Sequence, residues 1–402
     1  MLDALLPEDP PADAEIEDVD WRVAILTGQA LAELRSGEGG VAGGDHAGVR
    51  DRVRLWLVRL VESGRLAARE RLEAGDVLGA LGDPRPGVGT LTLKDVALPA
   101  FDWVKIPAGT SRMGSAEDDA EARDDEKPAH DVTLETFWIS RYPVTNAQFR
   151  PFVDAGGYGQ RSFWSDVGWA WLQGADADLS RFPEDLRQPY AAWLARRPAE
   201  RRRRPFWWDD PRRRAPSRPV VGVCWHEALA YTRWLARLCD GRPRQGRPLP
   251  AALPPSFRPA LPSEAQWERA ARAPESRRWP FGDEFDAAVC NTEEGGLGET
   301  SPVGIFSGGK SGFGVEEMAG NVWEWTLDRW GKSVDAPDYR YPYQAGDGRQ
   351  RIETKDLRVV RGGSYFNNEK DARCAARSGD DPDLFDDGIG FRCVLSLAGS
   401  DS

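Results

Sequence analysis

Sulfur and imidazole are scarce in this chain: five Cys, three Met and three His among 402 residues. Cys224, Cys239, Cys290, Cys374 and Cys393 are odd in number and include no C-x-x-C pair. Neither a disulfide framework nor a thiolate zinc site is therefore indicated. His46, His130 and His226 are too few and too scattered for most metal chemistry. Long apolar runs are missing as well, since nothing approaches the roughly 20 residues that span a bilayer. The opening MLDALLPEDPPADAEIED is acidic where a secretory signal would be basic. No membrane partner is expected, and the cytoplasm is the default compartment. Basic charge is in deficit, 53 Lys and Arg against 65 Asp and Glu for a net −12, which argues against nucleic acid or an anionic surface as partner. Only 7 of the basic residues are Lys, and Asn and Gln number 5 and 9. That depletion fits a hot habitat, and a GC-rich genome gives the same preference for Arg. What is abundant is Gly, Pro and Trp, at 42, 30 and 17, the makings of a loop-rich domain with an indole-rich core.

The length suits about two to three domains. Residues 1–20 hold eight acids and no base and read as a flexible acidic tail. Residues 21–97 read as a small helical segment: Val53, Leu57, Leu60 and Val61 recur at helical spacing, Gly64 supplies a stop, and a second helix runs from Leu66 toward Gly82. From residue 98 to 397 the texture is α+β, short strands and turns with isolated helices. Capping boxes at Thr145-Asn-Ala-Gln148 and Ser263-Glu-Ala-Gln266 mark two helix starts, and HEALAYTRWLARL marks a third helix. Residues 157–218 read as an irregular, Arg-rich insertion, with ten Arg against three acids between Ala195 and Arg218. With Pro and Trp interspersed, that run reads as a solvated insertion paired with local acids rather than a phosphate grip.

Eight motifs then occur in one order: WVKIPAGTSRMGS, ISRYPVTNAQF, RPVVGVCWHEALAYTRWL, LPSEAQWERAAR, WPFGDEF, GNVWEWTLDRW, RVVRGGSYF and GIGFRCV. This series resembles the formylglycine-generating enzyme, or sulfatase-modifying factor, family over roughly residues 99–397. The resemblance implies a C-type lectin-like fold of that enzyme's type. It also implies an oxidase that holds copper on two cysteines between the GGSY and RCAAR motifs. Here that interval reads Phe366-Asn367-Asn368-Glu369-Lys370-Asp371-Ala372, without sulfur, and amides or carboxylates do not replace a soft thiolate pair. Copper is not expected. Iron is not expected either, because the iron-dependent relatives rely on a histidine-rich domain. Cys374 and Cys393 fall at positions structural in the family, and their usual disulfide partners fall on Ala271 and Thr232, so both read as buried free thiols.

A calcium site is the family feature expected to persist, on Glu317, the Gly320 and Val322 carbonyls, and Glu324. Relatives carry Asn or Asp where Glu317 stands. The same stretch reads equally as a hydrogen-bonded turn that anchors Trp323 and Trp325.

Between RVVRGGSY, ARCAAR and IGFRC, residues 361–393 carry clusters of Asn, Asp, Ser, Gly, Phe and Leu. This interleaving resembles the variable proteins of diversity-generating retroelements, which display a mutable face on a lectin-type scaffold. Turn chemistry alone would give a similar composition. The candidate ligand-binding face is Phe366, Asn367, Asn368, Asp371, Ser378, Gly379, Asp380, Asp381, Leu384, Phe385, Asp386, Asp387 and Gly388, a paratope-like mix of aromatic and adaptable polar groups. The expected function is accordingly a non-catalytic ligand-binding protein whose partner is a protein or cell-surface molecule. The alternatives are a sensor or effector module of a bacterial signalling or defence system and, after it, a copper-dependent oxidase. Ligand identity and oligomeric state are not legible.

Overall fold

The computed structural model describes residues 6, 10, 16–36, 47–93, 95–175, 177–239, 256–272 and 274–397. Three helices come first, α1 (Asp18–Ser36), α2 (Ala47–Ser63) and α3 (Ala68–Leu81). Val53, Trp56, Leu57, Leu60 and Val61 bury one face of α2, as their three- and four-residue spacing requires. Gly64, at φ +68°, turns the chain out of that helix. The acidic stretch departs from the expectation of a free tail. Helix α1 already starts at Asp18, Leu6 and Ile16 are buried against the helices, and Arg52 and Arg59 donate to the carbonyls of Leu6 and Pro10. Two apolar anchors suffice where composition registers only acids. The other residues of that stretch lie outside the described ones.

The helical unit shares its core with the rest of the chain. Leu297, Ile305 and Phe306 belong to its hydrophobic cluster, and Arg218 reaches across to Asp76 (2.6 Å) and Glu299 (2.8 Å). Gly75 and Gly79 permit the approach, since a β-carbon at either would stand 2.6 Å from Pro302 or Ser217.

The remaining elements are β1 (Thr90–Leu93), β2 (Val96–Pro99), β3 (Trp103–Ile106), β4 (Gly109–Met113), β5 (His130–Leu134), β6 (Phe137–Ser140), α4 (Asn146–Asp154), α5 (Asp166–Leu172), α6 (Glu184–Leu194), α7 (Trp225–Cys239), β7 (Phe257–Ala260), α8 (Glu264–Arg272), β8 (Trp323–Gly331), β9 (Leu357–Arg361), β10 (Arg377–Asp380), β11 (Ile389–Gly390) and β12 (Val394–Leu397). Two small four-stranded sheets, ordered β3-β6-β12-β7 and β10-β9-β8-β11, and two hairpins, β1-β2 and β4-β5, make an α+β domain. Both capping boxes close in three dimensions. Gln148 N donates to Thr145 Oγ1 at 3.2 Å while Thr145 N donates to Gln148 Oε1 at 3.0 Å, and Ser263 and Gln266 exchange the same pair at 3.1 and 2.9 Å.

The core is aromatic and, unusually, arginine-laden. Phe149, Phe152, Tyr231, Trp234 and Phe391 pack ring against ring, mostly edge to face, where α4, α7 and the C-terminal segment meet. Arg197, Arg361, Arg377 and Arg392 are buried with carboxylate partners Glu227, Glu264, Glu268 and Glu324. Forked guanidinium–carboxylate bonding of this kind is open to Arg and closed to Lys, a structural use for the Arg excess. The insertion is less irregular than expected. It contains α5, capped by Ser165 Oγ accepting from Gly168 N at 3.0 Å, and α6. Its arginines are partly paired with local acids, as Arg204 with Asp209 (2.6 Å), yet Arg197 is fully buried on Glu227.

Candidate functional site

Gly362 and Gly363, at φ +100° and +72°, swing the chain off the end of β9 into the turn where the oxidase cysteines would stand. Asn367 closes that turn. Its Oδ1 accepts from Trp323 Nε1 (2.9 Å), Ser364 Oγ (2.5 Å) and Ser364 N (3.2 Å), and its Nδ2 donates to Asp371 Oδ2 (3.0 Å). Asp371 is paired in turn with Arg123. The turn offers hard oxygen and amide donors already engaged with each other, a set that does not fit cuprous copper. No other thiol compensates. Cys224, Cys290, Cys374 and Cys393 are buried and all five cysteines are free. Burial pushes Cys290 and Cys374 up to about 12 and raises Cys224 and Cys393 as well. Half-buried Cys239 donates to the Leu235 carbonyl at 3.0 Å. A protonated thiol is a poor nucleophile and a poor ligand.

The thirteen residues expected to form an open binding face are mostly not open, and the insertion is the reason. Phe366 (48% exposed) and Asn368 are exposed; Asn367, Asp371, Ser378, Gly379, Asp380, Leu384, Asp386 and Asp387 are half-buried; Asp381, Phe385 and Gly388 are buried. Phe385 stacks on Trp193 (5.4 Å between ring centres) and packs on Phe206 (4.7 Å), both from the insertion. Arg213 pairs with Asp387, and the Gly222 N–H donates to the Asp386 carbonyl. A β-carbon at Gly379 would lie 2.2 Å from Trp330, and one at Gly388 2.3 Å from Phe366, so neither position accepts a side chain without repacking. The Asn and Asp richness has a local cause too. Asn368 Oδ1 accepts from Lys370 N, Asp381 Oδ1 from Asp383 N and Asp386 Oδ1 from Gly388 N, each two residues on. These are Asx turns.

Desolvation pushes Asp380 and Asp381 up to about 7, with neighbouring carboxylates Asp386 and Asp383 adding to it. Arg181 offsets only part of the rise at Asp381, because it stands 3.5 Å from Oδ2 and its hydrogen bonds go to the Asp178 and Lys355 carbonyls. A carboxyl whose folded-state pKa is raised contributes stability that is complete below its ordinary value near 4 and is lost as pH rises through 7. Thermal melts are therefore expected to fall between pH 6 and pH 8, and to fall less in the Asp380→Asn/Asp381→Asn double variant. A pH-independent melt across that window would contradict the placement of these carboxyls.

Beside this segment lies a cavity of about 650 Å³ bounded by the insertion on one side and Asp383 and Phe385 on the other. Trp171 and Arg202 form part of its wall. Asp383, on the wall, has Oδ1 3.1 Å from Nε2 of buried His226. Asp383, His226, Trp171 and Arg202 did not stand out in the sequence. Asp383 sits inside a run already rich in Asp, and the others are joined to it only by long-range packing.

Three of the four groups expected to bind calcium are held by protein donors. Both oxygens of Glu324 bond to Arg392, at 2.6 and 2.7 Å, and Oε2 also accepts from Trp267 Nε1. Glu317 accepts from Gly304 N at 2.9 Å and from Asn321 Nδ2; burial lifts it to about 7, against the charged form a cation needs. The Gly320 carbonyl accepts from Val322 N. This donor set does not fit a calcium ion. Bonded in this way the stretch takes the form of the hydrogen-bonded turn, the other reading of these residues, and the buried guanidinium of Arg392 supplies the positive charge beside Glu324. Trp325 is wholly buried there, and Trp323 nearly so.

Residues 92–397 match the sulfatase-modifying factor enzyme 1-like domain. The formylglycine-generating enzyme of Thermomonospora curvata is 33% identical over 312 residues, 73% of this chain and 93% of that protein. The hercynine oxygenase of Mycolicibacterium thermoresistibile is 33% identical over 276 residues, 66% of this chain, and the match spans 52% of that relative's length. Among solved structures, Treponema denticola variable protein 1 superposes with a TM-score of 0.47 at 19% identity, covering 76% of this chain and 97% of that one. A likeness that weak bears on neither activity nor ligand.

Proposed function

The chain belongs to the sulfatase-modifying factor enzyme 1-like family, with helices α1–α3 preceding the family's mixed α/β domain, and from that premise we propose that it is a non-catalytic, ligand-binding member. The observation that carries this reading is Asn367. The residue holds the turn between the GGSY and RCAAR motifs shut through Trp323, Ser364 and Asp371, where thiol chemistry would need an open pair of cysteines. The ligand site is the cleft between the insertion and the C-terminal segment, concave and of a size that suits small-molecule ligands. A mutable display face is supported only at its rim, at Phe366 and Asn368, because the other positions are at least half-buried.

Thiol labelling tests the reading. In the native protein Cys239 is expected to be the one residue to react with a soluble thiol reagent within minutes, with all five reacting after denaturation. Rapid native labelling at Cys224, Cys290, Cys374 or Cys393 would speak for a reactive centre and against the proposal.

A further inference from the structure

The cleft that this reading assigns to the ligand also suggests what the ligand is. Four charged residues stand on its wall: Arg197, Glu200, Arg202 and Asp383. Arg197 spends both Nη groups on Glu227, at 2.8 and 2.7 Å, and Glu200 is exposed at the rim. The other two are partly buried and not fully spent on protein partners. Arg202 is half-buried and gives Nε to the Arg197 carbonyl (3.1 Å) and Nη1 to the carbonyls of Trp171 (2.5 Å) and Ala175 (3.3 Å). Among the described residues no carboxylate lies within ion-pair distance of it, and Nη2 has no partner. Carbonyls orient a guanidinium without neutralising it, so a partly buried cation remains in want of an anion. Asp383, with 14% of its side chain exposed, has one oxygen on His226, and its other oxygen has no partner among the described residues. Asp381 lies next to it and accepts from the Asp383 N–H at 2.9 Å, so no cation is supplied there from that side. Leu179, Ala191, Leu194 and Phe385 add apolar wall to the same cavity.

Resting on the binding reading above, we propose that the cleft takes a small zwitterion with an apolar body, its anionic group on Arg202 and its ammonium on Asp383. A free amino acid or short apolar peptide has that chemistry. The cavity volume favours the peptide, since about 650 Å³ is more than one residue fills.

Calorimetric titration of the full chain with leucyl-leucine, its N-acetyl form and its C-terminal amide tests this without mutating the protein. The free dipeptide is expected to bind saturably, and either cap to weaken binding by about tenfold or more, because each leaves one charged group of the cleft unpaired. Arg202→Gln should abolish the preference for the free carboxylate alone, and Asp383→Asn the preference for the free ammonium alone. Unchanged melts would show that both variants fold. Equal affinity for free and capped peptides, or no saturable heat up to about 10 mM, would overturn the proposal. Such a failure with the buried thiols still protected leaves the binding reading standing. Thiol reactivity would overturn that reading whatever the titration gives.

Discussion

Glu264→Gln should be among the most damaging single substitutions in the chain, costing about 3–5 kcal/mol in denaturant unfolding. Glu264 is fully buried at the start of α8 and accepts from Arg361 Nη1 (2.9 Å), Arg377 Nε (2.7 Å), Arg377 Nη2 (2.8 Å) and Tyr341 Oη (3.1 Å). Two guanidiniums thus share one carboxylate, with Glu268 as the second acceptor for Arg361 at 2.5 Å. The amide keeps the shape and removes the charge, so the loss measures buried cations left underpaired rather than a cavity. Burial pushes the Glu264 carboxyl up, but Arg377 and Arg361 outweigh it and hold the group below the usual carboxylate range. A depressed folded-state pKa contributes stability above the ordinary value, lost as pH falls through it. The wild-type advantage over Glu264→Gln should therefore shrink in acid, opposite in sign to the effect of Asp380 and Asp381. As a control, removing the exposed Arg112–Asp131 pair should change little. A small loss for Glu264→Gln, or one that grows in acid, would refute the charge assignment.

Phe385→Ala should cost about 3–5 kcal/mol and Phe366→Ala less than about 0.5 kcal/mol. Composition places these two phenylalanines in one surface cluster; the fold separates them, one 2% exposed and the other 48%. Phe385 is clasped by Trp193, Phe206 and the Arg197 guanidinium, so its removal opens a cavity and frees the insertion from the C-terminal segment. Limited proteolysis should then cut the insertion faster in Phe385→Ala than in wild type. Equal melts for the two variants would restore the open-face reading that burial argues against.

What could be read from the sequence was what local rules determine. Thr145 with Gln148, and Ser263 with Gln266, are reciprocal within one turn, so spacing alone locates both helix starts. Eight motifs in order were enough to bring the family to view. Helix α1 escaped because Asp18 and Asp20 look like more of an acidic tail, although acids in a first turn favour a helix. The covering of the C-terminal segment escaped for another reason. Arg213 and Asp387 are 174 positions apart, and no periodicity links Trp193 to Phe385. Asx turns at Asn368, Asp381 and Asp386 then gave a packed segment the composition of an exposed one. At Glu324 the motif was legible and its partner was not, because Arg392 lies in the GFRC motif near the other end of the domain.

The central claim, that this member binds rather than oxidises, is tested most directly by incubating the copper-supplemented protein with a sulfatase-type cysteine peptide and reading the peptide by mass spectrometry. With Asn367 closing the turn and four of five thiols buried, the peptide should be recovered with its cysteine unconverted, at the level of a no-protein control. Aldehyde accumulating above that control in proportion to the protein added would contradict the account.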